Sequence, residues 1–143
     1  MTIQQLSIFA ENRPGGLTEV TELLSRHGIN IRALSLADTT DYGILRLIVS
    51  APDEALAALK AAGHTVQMTD VLAVAIPDTP GGLAGALTAL AAANIGVGYM
   101  YAFHNPAKDA AYVILRVDDN ANAENALRGG EYRIMSHEEI CQA

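Results

Sequence analysis

Pro14-Gly15-Gly16-Leu17 recurs as Pro80-Gly81-Gly82-Leu83, 66 residues further along the chain. At the same spacing Leu6-Ser7-Ile8 faces Leu72-Ala73-Val74, and Ile29-Asn30-Ile31 faces Ile95-Gly96-Val97. Leu45-Arg46-Leu47 matches Leu115-Arg116-Val117 at a spacing of 70, which predicts four extra residues in the second copy, within His104–Asp109. Leu59–Val66 then matches Leu127–Ile134 at 68. Five blocks in one order make the chain an internal duplication. Its 143 residues, which by length alone suit one domain, divide into a first domain of 1–69 and a second of 70–143.

Working outward from the repeated turn, each copy reads β-α-β-β-α-β. Within Ile3 to Ala10, Leu6 and Ile8 alternate with Gln5 and Ser7, the period of a half-buried strand. Pro14 suits the first turn of a helix, where its missing N–H has no partner to lose. Leu17, Val20, Leu23 and Leu24 keep helical spacing up to Gly28, a left-handed terminator. Strands follow at Ile29–Ala37 and Tyr42–Ser50, joined by the turn Asp38-Thr39-Thr40-Asp41. A second helix runs from Pro52 to Gly63, and a short strand from His64 to Thr69. The second copy repeats the order, with strands at Val71–Pro77, Val97–Phe103, Ala111–Val117 and Tyr132–Met135 and helices at Gly81–Ala93 and Ala121–Arg128. Ser136-His137-Glu138-Glu139 has capping-box spacing, which predicts a terminal helical turn. The fold class expected is α+β: two ferredoxin-like units, each an antiparallel sheet with its helices on one face.

Composition removes several functions. Nine Lys and Arg against sixteen Asp and Glu give a net charge of −7, and no basic cluster exists to neutralise phosphates or an anionic membrane. No apolar run approaches the roughly 18 residues that span a bilayer, and Met1–Gln5 lacks a secretory pattern. One cysteine, Cys141, forms no internal disulfide; a cytoplasmic location is the expectation. The histidines at 27, 64, 104 and 137 match no zinc spacing, and no phosphate loop, nucleophile elbow or dinucleotide fingerprint is present. Catalysis, metal and cofactor are therefore not expected.

The duplicated turn is the candidate site. Asn12-Arg13-Pro14-Gly15-Gly16-Leu17 and Asp78-Thr79-Pro80-Gly81-Gly82-Leu83 each place a side-chain oxygen and two glycines at a helix N-terminus. Unpaired N–H groups there attract a carboxylate, and Asn12 or Asp78 could accept from an ammonium, the two requirements of an α-amino acid. The alternative is that Asn or Asp caps the helix while the glycines only make the turn.

Ala10–Leu17 followed by Gly28-Ile29-Asn30-Ile31 resembles the opening of an ACT domain, the small amino-acid-sensing regulatory module. Ile76–Leu83 and Asn94-Ile95-Gly96-Val97 resemble it again, so nearly the whole chain is similar to a stand-alone tandem of ACT domains. The resemblance implies units paired side by side with an amino acid held between them, against the turn of one and the start of the second strand of its neighbour. It carries ligand contact to Asn12, Gly15, Gly16, Leu17, Asn30 and Ile31, and to Asp78, Gly81, Gly82, Leu83 and Gly96; Gly96 replaces Asn30, so the two sites need not be equivalent. It also implies a non-catalytic sensor that regulates a partner enzyme or pathway. The alternative function is a scaffolding subunit with little ligand binding of its own.

Two patterns lie outside the motif. The helix Gly81–Ala93 carries no charge, whereas its counterpart has Glu19, Glu22 and Arg26. With Leu83, Leu87 and Leu90 facing its sheet, Ala84, Gly85, Thr88 and Ala92 point outward, either to another helix or, on an alanine-rich helix, to solvent. Strand parity sets Tyr99, Tyr101 and Phe103 beside Arg116 on the sheet face away from the helices, with Arg46 in the matching place of the first copy. That face suits a homodimer contact or the wall of a pocket.

Overall fold

The computed structural model describes residues 1–38, 41–105 and 108–142. The elements are β1 (Ile3–Glu11), α1 (Gly16–Arg26), β2 (Ile31–Asp38), β3 (Tyr42–Val49), α2 (Pro52–Ala61), β4 (Thr65–Pro77), α3 (Gly82–Ala92), β5 (Val97–Asn105), β6 (Ala110–Val117), α4 (Asn120–Gly129), β7 (Arg133–Ile134) and α5 (His137–Gln142). This is the mixed α/β architecture read from the sequence, β-α-β-β-α-β repeated. Parts of both expected hairpin turns, residues 39 and 40 and residues 106 and 107, lie outside the described residues.

One expectation fails at the midpoint. The strands expected at His64–Thr69 and Val71–Pro77 are a single strand, β4, of 13 residues. Nothing between Thr65 and Ile76 is a glycine, proline or asparagine, and the one turn-favouring residue, Asp70, stands alone between the strand formers Thr69 and Val71.

The chain forms two compact units, Gln4–Thr69 and Met1–Ile3 with Asp70–Ala143. In the first, β3 pairs antiparallel with both β1 and β2. Its core joins Leu6, Ile8, Leu45 and Leu47 of the strands to Val20 and Leu24 of α1 and Leu59 of α2. In the second, β6 pairs antiparallel with β4 and β5, and β7 pairs with β4. Leu72, Val74, Val113 and Leu115 meet Ala86 and Leu90 of α3 and Leu127 of α4. At its start the Met1 ammonium meets both carboxylate oxygens of Glu124 on α4, at 2.5 Å.

Strand register corrects the internal alignment. Leu6 lies opposite Leu47 in the first unit, and the equivalent Leu72 lies opposite Leu115 in the second. Leu34 faces Leu47 as Met100 faces Leu115. The strands β3 and β6 therefore correspond at a spacing of 68, the same as the block after them, and the second copy holds two extra residues rather than four. The match of Leu-Arg-Leu to Leu-Arg-Val at 70 is a slip of two along an alternating strand, which leaves every side chain on its proper face. Arg46 corresponds to Ile114, and Arg116 to Ile48.

Helix ends follow local chemistry. Ser136 Oγ accepts from the Glu139 N–H at 3.2 Å while the Ser136 N–H donates to Glu139 Oε1 at 3.2 Å, the reciprocal pair expected from the spacing. Asp119 caps α4 through the Asn122 N–H at 3.1 Å. Among the described residues no helix is long and apolar enough to cross a membrane.

Candidate functional site

The first turn is built by two glycines doing different work. Gly15, the residue before α1, has φ 85°, a left-handed conformation that any side chain would strain. Gly16 has ordinary φ, but a Cβ there would lie 2.7 Å from the Glu11 carbonyl oxygen. The end of β1 and the start of α1 thus approach closer than an L side chain permits. Gly81, at φ 88°, and Gly82, whose Cβ would collide with the Pro77 carbonyl oxygen, repeat the arrangement. Pro14 precedes the helix instead of occupying its first turn.

Neither α1 nor α3 receives a side-chain cap, so Asn12 and Asp78 do not serve as N-caps. The Gly16 N–H donates to the Arg13 carbonyl at 3.2 Å, and the Gly82 N–H to the Thr79 carbonyl at 3.1 Å.

Asn12 and Leu17 instead line a cavity of about 290 Å³ in the first unit, with Arg13, Leu36, Asp38 and Gly43 among its other walls. Leu17 and Leu36 are exposed apolar side chains on it. The cavity joins an amide oxygen, the carboxylates of Glu11 and Asp38 and a guanidinium to apolar surface. Arg13 reaches across the turn: its Nε donates to Glu11 at 3.0 Å and its Nη2 to Glu19 at 2.8 Å. The Glu19 bond, backed by that of Glu11, holds the guanidinium pKa above its ordinary value. The same bond holds the Glu19 carboxyl below the ordinary carboxylate range.

The second turn differs chemically. Asp78, equivalent to Asn12, pairs with His104 Nε2 at 2.8 Å. His104 stands where the first unit has Asp38, and Thr79 where it has Arg13. The second turn therefore carries its own acid–base pair, whereas the first holds an oxygen-rich pocket.

A family model described as an ACT domain pair matches residues 1–142. The chain belongs to the ACT domain pair family. A crystal structure of a protein from Bacteroides thetaiotaomicron is 40% identical, with a TM-score of 0.93, over 98% of this chain and 96% of that one. The regulatory subunit of aspartate kinase from Thermus thermophilus shares the fold at 18% identity and a TM-score of 0.67, over 89% and 91%. That from Thermus flavus does so at 19% and 0.66, over 90% of each. No curated protein matches the chain.

The ACT pair does not gather every expected site residue within one unit. Asn30 and Ile31 lie at the far end of β2 from the turn cavity, on a separate cavity of about 410 Å³ beside Thr21 and Ser25. There the Asn30 N–H donates to Ser50 Oγ at 2.9 Å. Gly96, their counterpart in the second unit, is exposed with open space around its Cβ position. Leu83 is half-buried against the second core.

The residues of the other sheet face lie where parity puts them. Tyr99, Tyr101 and Phe103 oppose Arg116, Ile114 and Tyr112, away from α3 and α4. All three are half-buried, and Phe103 meets Tyr112 with ring centroids 5.1 Å apart. Arg116 Nη1 donates to Asp118 at 2.8 Å. Arg46 opposes Ser7 and Ser35 on the same face of the first unit. Gly85 does not face outward as expected: a Cβ there would collide with the Tyr132 hydroxyl.

Sequence reasoning missed Arg13, Leu36, Asp38 and Gly43. Arg13 stood inside the motif, and its two acidic partners at 11 and 19 were readable. By sequence Asp38 is a turn residue; only the cavity shows it beside Asn12. Among the described residues no group of three His, Cys, Asp or Glu could hold a metal ion.

Proposed function

We propose that this ACT pair is a non-catalytic sensor that binds a free amino acid at the turn cavity of its first unit and regulates a partner enzyme. The observation that carries the reading is the lining of that cavity. Asp38, Glu11 and the Asn12 side-chain oxygen suit an ammonium, while Arg13 suits a carboxylate. Leu17 and Leu36 give a small apolar side chain a surface to lie on. Family membership supports the sensing role, and the fold shared with aspartate kinase regulatory subunits is consistent with action on an enzyme. In this reading the working units are the domains 1–69 and 70–143. Asn30 and Ile31, or the equivalent Gly96, complete a site on a second copy of the chain in a homodimer. Gly81, Gly82, Leu83 and Asp78 shape a second, internally paired turn. That pairing is the observation favouring a scaffolding role for the second unit.

The test is a thermal-shift screen with the common amino acids at millimolar concentration, because a ligand bound only by the folded state raises its melting temperature. One or a few amino acids should raise it in the wild type and fail to do so in Asp38→Ala. Absence of any response overturns the reading.

A further inference from the structure

Equivalent positions in the two units differ at a second cavity, which adjoins the turn. In the first unit a cavity of about 340 Å³ lies between the first turn of α1, the end of β1 and the junction of α2 with β4. Glu11, Arg13, Glu19, Tyr42 and His64 line it, with the backbone of Ala62 and Gly63 beneath. In the second unit Tyr132 stands in the place of His64: Tyr132 donates its N–H to the Leu127 carbonyl at 2.9 Å as His64 donates to Leu59 at 3.0 Å. Tyr132 packs on the second core. Its hydroxyl occupies the space that a Cβ at Gly85 would need, and its ring lies 3.1 Å from the Cβ position of Gly130. Gly85 is the equivalent of Glu19, and Gly130 of Ala62. Glycine stands at both positions around one tyrosine that fills the space, while the first unit has Glu19 and Ala62 there and lines the cavity with charge.

We infer that the first unit holds a second small-molecule site in this cavity, and that it takes its ligand by an ammonium group. The site shares Ala10, Glu11 and Arg13 with the turn cavity and is otherwise lined by different residues, Glu19, Tyr42 and His64 among them. The partial charges of the α1 N-terminus and the α2 C-terminus oppose each other there, so the full charges decide. Two carboxylates face one guanidinium. Arg13 engages Glu11 Oε2 and Glu19 Oε1, which leaves the other oxygen of each carboxylate for a further donor. Glu22 and Arg26, which line the adjoining groove with Glu19 and His64, cancel each other. The cavity therefore retains one uncompensated negative charge, while the Tyr42 hydroxyl and the His64 ring add polar atoms. Its volume lies at the lower end of the range for small-molecule pockets. In the second unit the equivalents of Glu11, Arg13, Glu19 and Glu22 are Pro77, Thr79, Gly85 and Thr88, none of them charged. The charge-free α3 is thus the helix of a filled cavity.

The probe is 1,4-diaminobutane, followed by amide NMR of the whole chain, with butane-1,4-diol as the uncharged control of the same shape. Saturable shifts at Gly16, Gly63, His64 and Thr65 are expected with the diamine and not with the diol. Glu11→Gln with Glu19→Gln keeps the cavity open and should weaken binding on the order of tenfold or more. Glu19→Gly, Ala62→Gly and His64→Tyr together transplant the second unit's filling and should abolish the shifts, with the amides of the second unit reporting that the chain remains folded. Equal shifts with the diol, shifts that survive the transplant, or no saturable shift overturn the proposal. The turn cavity is read separately at Leu36 and Asp38, so failure here leaves the amino-acid reading standing and failure there leaves this one.

Discussion

Gly15 and Gly16 are adjacent and both required, for different reasons, and the difference is measurable. Gly15→Ala places a Cβ on a left-handed residue with only the Arg13 guanidinium 4.0 Å away, so strain of about 1–2 kcal/mol is the whole cost. Gly16→Ala drives a Cβ toward a backbone oxygen 2.7 Å away, which must be relieved by moving the end of β1. Chemical denaturation should find Gly16→Ala destabilised by about 1–3 kcal/mol or more, the usual cost of overpacking. The ion pair of the same turn sets a pH signature. The folded-state pKa of Glu19 is depressed by its hydrogen bond to Arg13, so the contact holds through neutral pH. It is lost only as pH falls through that lowered value. In a carboxyl NMR titration Glu19 should have its midpoint below the ordinary glutamate value. In Arg13→Ala that midpoint should return to the ordinary range.

At the scale of elements, α5 depends on its first turn and one side chain. Ser136→Ala removes the Oγ that accepts from the Glu139 N–H, leaves the backbone N–H bond to Glu139 Oε1, and should cost about 1 kcal/mol, visible as faster amide exchange in 137–142. Ile140 is fully buried, so Ile140→Ala should cost about 2–5 kcal/mol in denaturant unfolding. Most elements were legible because periodicity and glycine placement are local signals. The capping box of α5, the left-handed Gly28 and the alternation of β5 each come from a few neighbouring residues. What escaped was non-local. The register of β6 was read two residues off because Leu45-Arg46-Leu47 and Leu115-Arg116-Val117 look alike on an alternating strand, and only pairing partners separate the two choices. The fusion of two strands into β4 was hidden by the duplication itself, which suggests a break at Asp70 where the backbone has none. The site was half legible: the motif marks the turn, but Leu36 and Asp38 reach it from a strand end more than 20 residues away, through the fold.

For the whole molecule, the duplication makes two cores of equal construction and unequal surfaces. Leu24 and Leu90 are equivalent core residues at 0% and 1% exposure, so Leu24→Ala and Leu90→Ala should each cost about 2–5 kcal/mol. Amide exchange should then accelerate mainly in the unit that carries the substitution. The charge asymmetry has the same origin. The first copy holds 5 basic and 7 acidic residues and the second 4 and 9, yet the first carries the charged cavity and the second the neutral, tyrosine-filled equivalent. Tyr132 has a practical consequence. Because the filled unit shares solvent, temperature and denaturant with the open one, each amide around His64 has a homologous amide around Tyr132 that serves as its blank. The protein supplies an internal reference channel, and the difference between the paired signals isolates cavity occupancy from every bulk effect of an added solute.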